Sequence, residues 1–121
     1  SSGPVVPAGS VKASHILIKH CGSRKPSSWR GPAAEISRRS RDEAVQMLQR
    51  VRQGISSPAD FAAAAQQHSE CSSAKRDGDL GVFGRGAMQR PFEEATFALR
   101  PWQISGVVDT ESGVHVIMRT G

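Results

Sequence analysis

The apolar positions of this chain change their period several times, and each change marks an element. Residues 11–18, VKASHILI, are apolar and rich in β-branched side chains, which predicts a strand. Strand alternation puts Val11, Ala13, His15 and Leu17 on one face. Before it, residues 1–10 (SSGPVVPAGS) are small, rich in Pro and Gly and without period; they read as a flexible tail outside a domain spanning 11–121. Residues 19–39 scatter Gly, Pro and Ser with no period and read as a long loop. Ser40 and Glu43 then form an S-x-x-E capping box. Ala44, Met47, Leu48, Val51 and Ile55 follow at helical spacing, with Gly54 near the end. A second helix is predicted from Ser57 as N-cap and Pro58 in the first turn, running through FAAAAQQH. Residues 72–76 suit a short helical turn.

Further on, LGVFG (80–84) predicts a short strand whose glycines signal bends or close backbone approach. Pro91 opens a third helix with Phe92, Ala95 and Leu99 on one face. SGVVD and SGVHVIMR predict two strands joined by a tight turn at 110–113. In the last strand Val114, Val116 and Met118 share one face; His115, Ile117 and Arg119 share the other. Strand, helices, strand, helix and hairpin in that order predict an α+β fold with a mainly antiparallel sheet.

Composition narrows the setting. The chain has 121 residues, enough for one domain with a modest core. Its apolar runs fall short of the roughly 20 residues of a membrane helix, and no secretory signal is read at the N-terminus. Two cysteines fifty positions apart suit a reducing compartment better than a disulfide framework. The net charge of +5 is uneven: residues 1–41 carry +7, and residues 42–121 carry −2. Local basic character of this kind favours an anionic partner near the N-terminal third, beside the plainer reading of a solvated charged loop.

Several chemistries compete for Cys71. A metal site needs four ligands at recognisable spacing, and His68-x-x-Cys71 supplies half of one. The glycines at 81, 84 and 86 match neither dinucleotide nor phosphate-loop order. Cys71 with His15 or His115 could form a nucleophile–base pair, but the chain has no Asn to orient the base. A lone cysteine can also be a small buried hydrophobe. Nucleic-acid binding by residues 19–41 would rest on a single aromatic, Trp29, too few for a stacking platform.

Three blocks carry a family resemblance: SHILIKH followed by SRKPSSWR, FAAAAQQHSECSSAKRDGDLGVFGRGAMQRPFEEATFAL, and SGVVDTESGVHVIMRT. Together they resemble the catalytic domain of parvulin-type peptidyl-prolyl cis/trans isomerases, in the phosphorylation-specific branch, over residues 11–120. The resemblance implies a parvulin-like four-stranded antiparallel sheet surrounded by about four helices, no cofactor and no metal. His15 and His115 match the family's paired histidines. Cys71, Ser112 and Thr110 match the same centre. Leu80, Met88 and Phe92 match a pocket for the substrate proline ring, with Gln89 and Phe83 close by. Lys19, Arg24 and Lys25 match a basic cluster that receives a phosphate on the residue before proline. Lys25 stands where the branch commonly has arginine, which keeps the charge but loses the planar fork. The WW domain of two-domain relatives has no counterpart in the sequence. The implied partners are proteins phosphorylated at Ser/Thr-Pro, bound by a monomer in cytoplasm and nucleus, with no nucleic acid or membrane involved.

Overall fold

A computed structural model describes residues 9–25, 28 and 33–121. The elements run β1 (Ser10–Ile18), α1 (Ala33–Arg38), α2 (Arg41–Gln53), α3 (Pro58–His68), a 3-10 turn (Ser72–Arg76), β2 (Asp79–Gly84), α4 (Arg90–Ala98), β3 (Val108–Thr110) and β4 (Gly113–Arg119). The four strands form one antiparallel sheet in the order β2-β1-β4-β3.

The sequence signals explain the helix ends. The Ser40 hydroxyl accepts from the Glu43 N–H, and the Glu43 carboxylate accepts from the Ser40 N–H, so both halves of the capping box form. Ser57 caps α3 by accepting from the Asp60 N–H, with Pro58 in the first turn. Three boundaries differ from expectation. Ser10 belongs to β1 rather than to the tail, while residues 1–8 lie outside the described residues. The 19–39 stretch contains the six-residue α1, which buries Ile36. One buried side chain gives too little period to read. Of SGVVD, only Val108 and Asp109 join a strand, with Thr110; ahead of them Ile104 bridges Met118.

Both faces of the sheet are covered. On one, Ile16, Ile18, Val114, Val116 and Met118 join Ala44 and Leu48 of α2 and Phe61 and Ala65 of α3. On the other, Val11, Ala13, Phe83 and Ile117 pack with Phe92 of α4. The β1 register pairs Ala13 with Gly81 but Ser14 with Asp79, so Leu80 is an extra residue in β2. Strict alternation would put Leu80 with the exposed Val82. The bulge, with Gly81 at φ 74°, instead brings Leu80 against the Phe92 cluster.

Candidate active site

The centre is built where β1 and β4 bring their histidines to the α4 side of the sheet. The Nδ1 atoms of His15 and His115 lie 3.0 Å apart, and the rings stack with centroids 5.2 Å apart. Phe92 meets both rings edge-on, at 5.6 Å and 5.1 Å between centroids. Each imidazole has a hydroxyl partner on its far side: His15 Nε2 is 3.1 Å from Ser73 Oγ, and His115 Nε2 is 2.7 Å from Thr110 Oγ1. In the Nδ1–Nδ1 contact one ring donates and the other accepts, so the two rings cannot both be cations. Burial, and then the charge of His15, hold the His115 pKa well below the usual imidazole value, which keeps this ring neutral.

Cys71 joins through His15. Burial alone would raise its thiol pKa, but hydrogen bonds from His15 and Ser73 outweigh that and bring it down to about 6. The turn carrying Cys71 and Ser73 reaches β1 because Gly78 lets it. The His15 N–H donates to the Gly78 carbonyl at 2.9 Å, and a Cβ at Gly78 would lie 2.4 Å from the His15 carbonyl oxygen. Cys21 is exposed and Cys71 half-buried.

Two clefts adjoin this network. An apolar cavity of about 120 Å³ is lined by Leu80, Met88, Gln89 and Phe92, with His15, His115, Thr110 and Ser112 on its polar side. A more open cleft of about 460 Å³ is lined by Lys19, Lys25, Glu70, Cys71 and Ser112, among others. Ser112 belongs to both. It is held by Gln89, whose amide donates to Ser112 Oγ at 2.8 Å and whose carbonyl accepts from the Glu111 N–H at 2.8 Å.

Most residues singled out in the sequence therefore converge, with three exceptions. Cys71 lines the basic cleft and not the apolar cavity. Phe83 stands behind the cavity, 6.2 Å from Phe92 between ring centroids, inside the core cluster. Arg24 is exposed and outside the lining of the basic cleft; its backbone N–H is tied to the Glu111 carbonyl at 2.6 Å. Lys19 does reach Lys25, donating from Nζ to its carbonyl at 3.1 Å. Trp29 falls outside the described residues. Two participants carried no sequence signal beyond adjacency to Cys71: Ser73, bonded to His15, and Glu70, in the wall of the basic cleft. Among the described residues no group of three or more His, Cys, Asp or Glu could hold a metal ion, and no helix is long and apolar enough to cross a membrane.

Comparison with known proteins identifies the family. The family model described as "Rotamase: PPIC-type PPIASE domain" matches residues 15–121. The chain is 63% identical over 113 residues to the peptidyl-prolyl cis-trans isomerase Pin1 of Digitalis lanata, covering 92% of this chain and 96% of the relative. It is 57% identical over 112 residues to the Pin1 of Arabidopsis thaliana, covering 91% of this chain and 94% of that one. Among solved structures, the peptidyl-prolyl isomerase ESS1 of Candida albicans superimposes with a TM-score of 0.87 at 45% identity, over 98% of this chain and 67% of that one. With an apolar cavity beside paired histidines and a relationship that spans nearly the whole chain, this protein belongs to the parvulin, or PPIC-type, peptidyl-prolyl cis-trans isomerases.

Proposed function

We propose that the chain isomerises phosphoSer/Thr-Pro bonds in protein substrates, without covalent chemistry. The observation that carries this reading is the sharing of Ser112 between an apolar cavity and a cleft bearing Lys19 and Lys25. A proline ring and a phosphate on the preceding residue lie one residue apart, and these two clefts meet at one residue.

The energetics suit a site without a nucleophile. The X–Pro bond turns over a barrier of roughly 18–20 kcal/mol because the amide has partial double-bond character. Unaided, this takes tens to hundreds of seconds. Reaching about 10–100 turnovers per second requires roughly 4–6 kcal/mol at ~1.36 kcal/mol per decade. In the twisted transition state nitrogen becomes pyramidal and the carbonyl less dipolar. Leu80, Met88 and Phe92 grip the ring in the ground and twisted states alike. Acceleration comes from whatever fits the twisted amide better than the planar one. The proposed agents are Ser112, Gln89 and the network of Cys71, His15, His115 and Thr110, which set polarity around the carbonyl. Lys19 and Lys25, with Arg24 at the loop surface, hold the phosphate and so anchor the residue before proline. Cys71 attacks nothing in this scheme.

The test is exchange spectroscopy on paired peptides identical except for phosphorylation before proline. Faster exchange on the phosphorylated peptide is expected. Equal rates on both would remove the phosphate preference, and phosphopeptide binding without exchange would make the protein a binding module. Cys71→Ser and Cys71→Asp should keep appreciable activity. Loss of turnover in both, with folding and binding intact, would restore thiolate chemistry.

A further inference from the structure

We propose that a buried ion pair, Arg39–Glu70, sets the preference for a phosphorylated substrate: Arg39 cancels a carboxylate standing in the wall of the basic cleft. The inference rests on the phosphate reading above and deepens it.

Glu70 immediately precedes Cys71 and lines the same cleft as Lys19 and Lys25. Its side chain is only 7% exposed, and that of Arg39 is 14% exposed, with 2.7 Å between Arg39 Nη1 and Glu70 Oε1. Both groups also grip the backbone of Lys19. The Lys19 N–H donates to Glu70 Oε1 at 2.7 Å, and Arg39 Nη1 donates to the Lys19 carbonyl at 2.8 Å. The Arg39 carbonyl accepts from the Cys21 N–H at 2.8 Å. Glu70 in turn donates its own N–H to the Leu17 carbonyl at 2.7 Å, and its carbonyl accepts from Ser28 Oγ at 2.6 Å. The pair thus joins the end of β1, the Cys71 segment and the link between α1 and α2 at the mouth of the cleft.

The electrostatic consequence is specific. A phosphoryl group carries about −1.5 to −2 charges near neutral pH. An uncompensated carboxylate in the same cleft would repel it in a medium that screens poorly. Paired with Arg39, Glu70 contributes one hydrogen-bond acceptor to the Lys19 backbone and almost no net charge. Arg39 is therefore a positioning and specificity residue that need not touch the phosphate.

The test compares kcat and KM for wild type, Arg39→Lys, Arg39→Met and the double variant Arg39→Met/Glu70→Gln on the same paired peptides. Arg39→Met should lower kcat/KM for the phosphopeptide about tenfold, mainly through KM, as expected for one uncompensated charge in a poorly screened cleft. The unphosphorylated peptide should change less than about twofold. The double variant should recover most of the loss, because no unpaired charge remains, and Arg39→Lys should retain most activity. An unchanged phosphopeptide preference in Arg39→Met, or no recovery in the double variant, overturns the proposal while leaving the phosphate reading intact. A wild type without phosphate preference overturns both. If Arg39→Met fails to fold, Glu70→Gln alone decides: it should keep or raise the preference, and a fall overturns the proposal.

Discussion

On the α2–α3 side of the sheet, β1 and β4 present Ile16, Ile18, Val114, Val116 and Met118, each at most 4% exposed. On the α4 side, the same two strands present His15, Leu17, His115 and Ile117, beside a cavity of about 120 Å³. Both faces are well buried, yet they differ in what burial does. The first removes hydrocarbon from water and fills the space it encloses, which is the ordinary source of stability. The second buries two imidazoles that must satisfy one another and two hydroxyls, and it leaves room beside them. One strand pair supplies a closed core and an open site because its side chains alternate.

Two substitutions and one titration test that division, beginning with the largest effect. Phe61 is fully buried on the closed face. Phe61→Ala should cost about 3–5 kcal/mol in denaturant unfolding, while the activity of the folded fraction stays within about twofold. Gly78 joins the two faces' roles, since it seats the Cys71 turn against β1 at φ 82°. Gly78→Ala should cost roughly 2 kcal/mol or more, and it should also lower the activity of folded protein by displacing Cys71 and Ser73 from His15. If Phe61→Ala impaired folded activity and Gly78→Ala spared it, the separation of core from site would be wrong.

The smallest effect is a titration. With its pKa lowered from 9.0 to about 6, Cys71 is mostly thiolate at neutral pH. Alkylation of Cys71 should show a midpoint near 6. The sign for stability follows: the unfolded thiol has the higher pKa, so the contribution is fully present above about 9, diminishes as pH falls, and is gone below about 6. An alkylation midpoint near 9 would mean that His15 and Ser73 do not act on the thiol, and the open face would lose one coupling that distinguishes it.

Much of the fold is legible in residue order. The capping box at Ser40, the Ser57–Pro58 start and the alternation in β1 and β4 are local devices, and each appears where the pattern put it. The apolar trio was legible only through a family resemblance, because apolar residues at such spacings look the same in a pocket and in a core; Cys71 with His15 or His115 was one of several open readings until that resemblance assigned them to one centre. Three features had no readable signal. A helix of six residues, α1, has one buried side chain. The bulge at Leu80 reverses a face through one unpaired residue. The Arg39–Glu70 pair joins residues thirty-one positions apart, each of which in isolation looks like a solvated charge.

Residue order alone established most of the elements, most of their buried faces and the family, because helix caps, side-chain periods and long motif blocks act over a few residues or are written directly in the chain; α1 and the face of Leu80 were the exceptions. Tertiary structure decided which polar groups meet. The 3.0 Å contact of His15 with His115, the depressed Cys71 thiol and the charge balance of the basic cleft depend on strand register, on a glycine's close approach and on burial. Hydrogen bonds and charges act over a few ångströms, and those distances exist only once β1, β4 and the Cys71 turn have packed together.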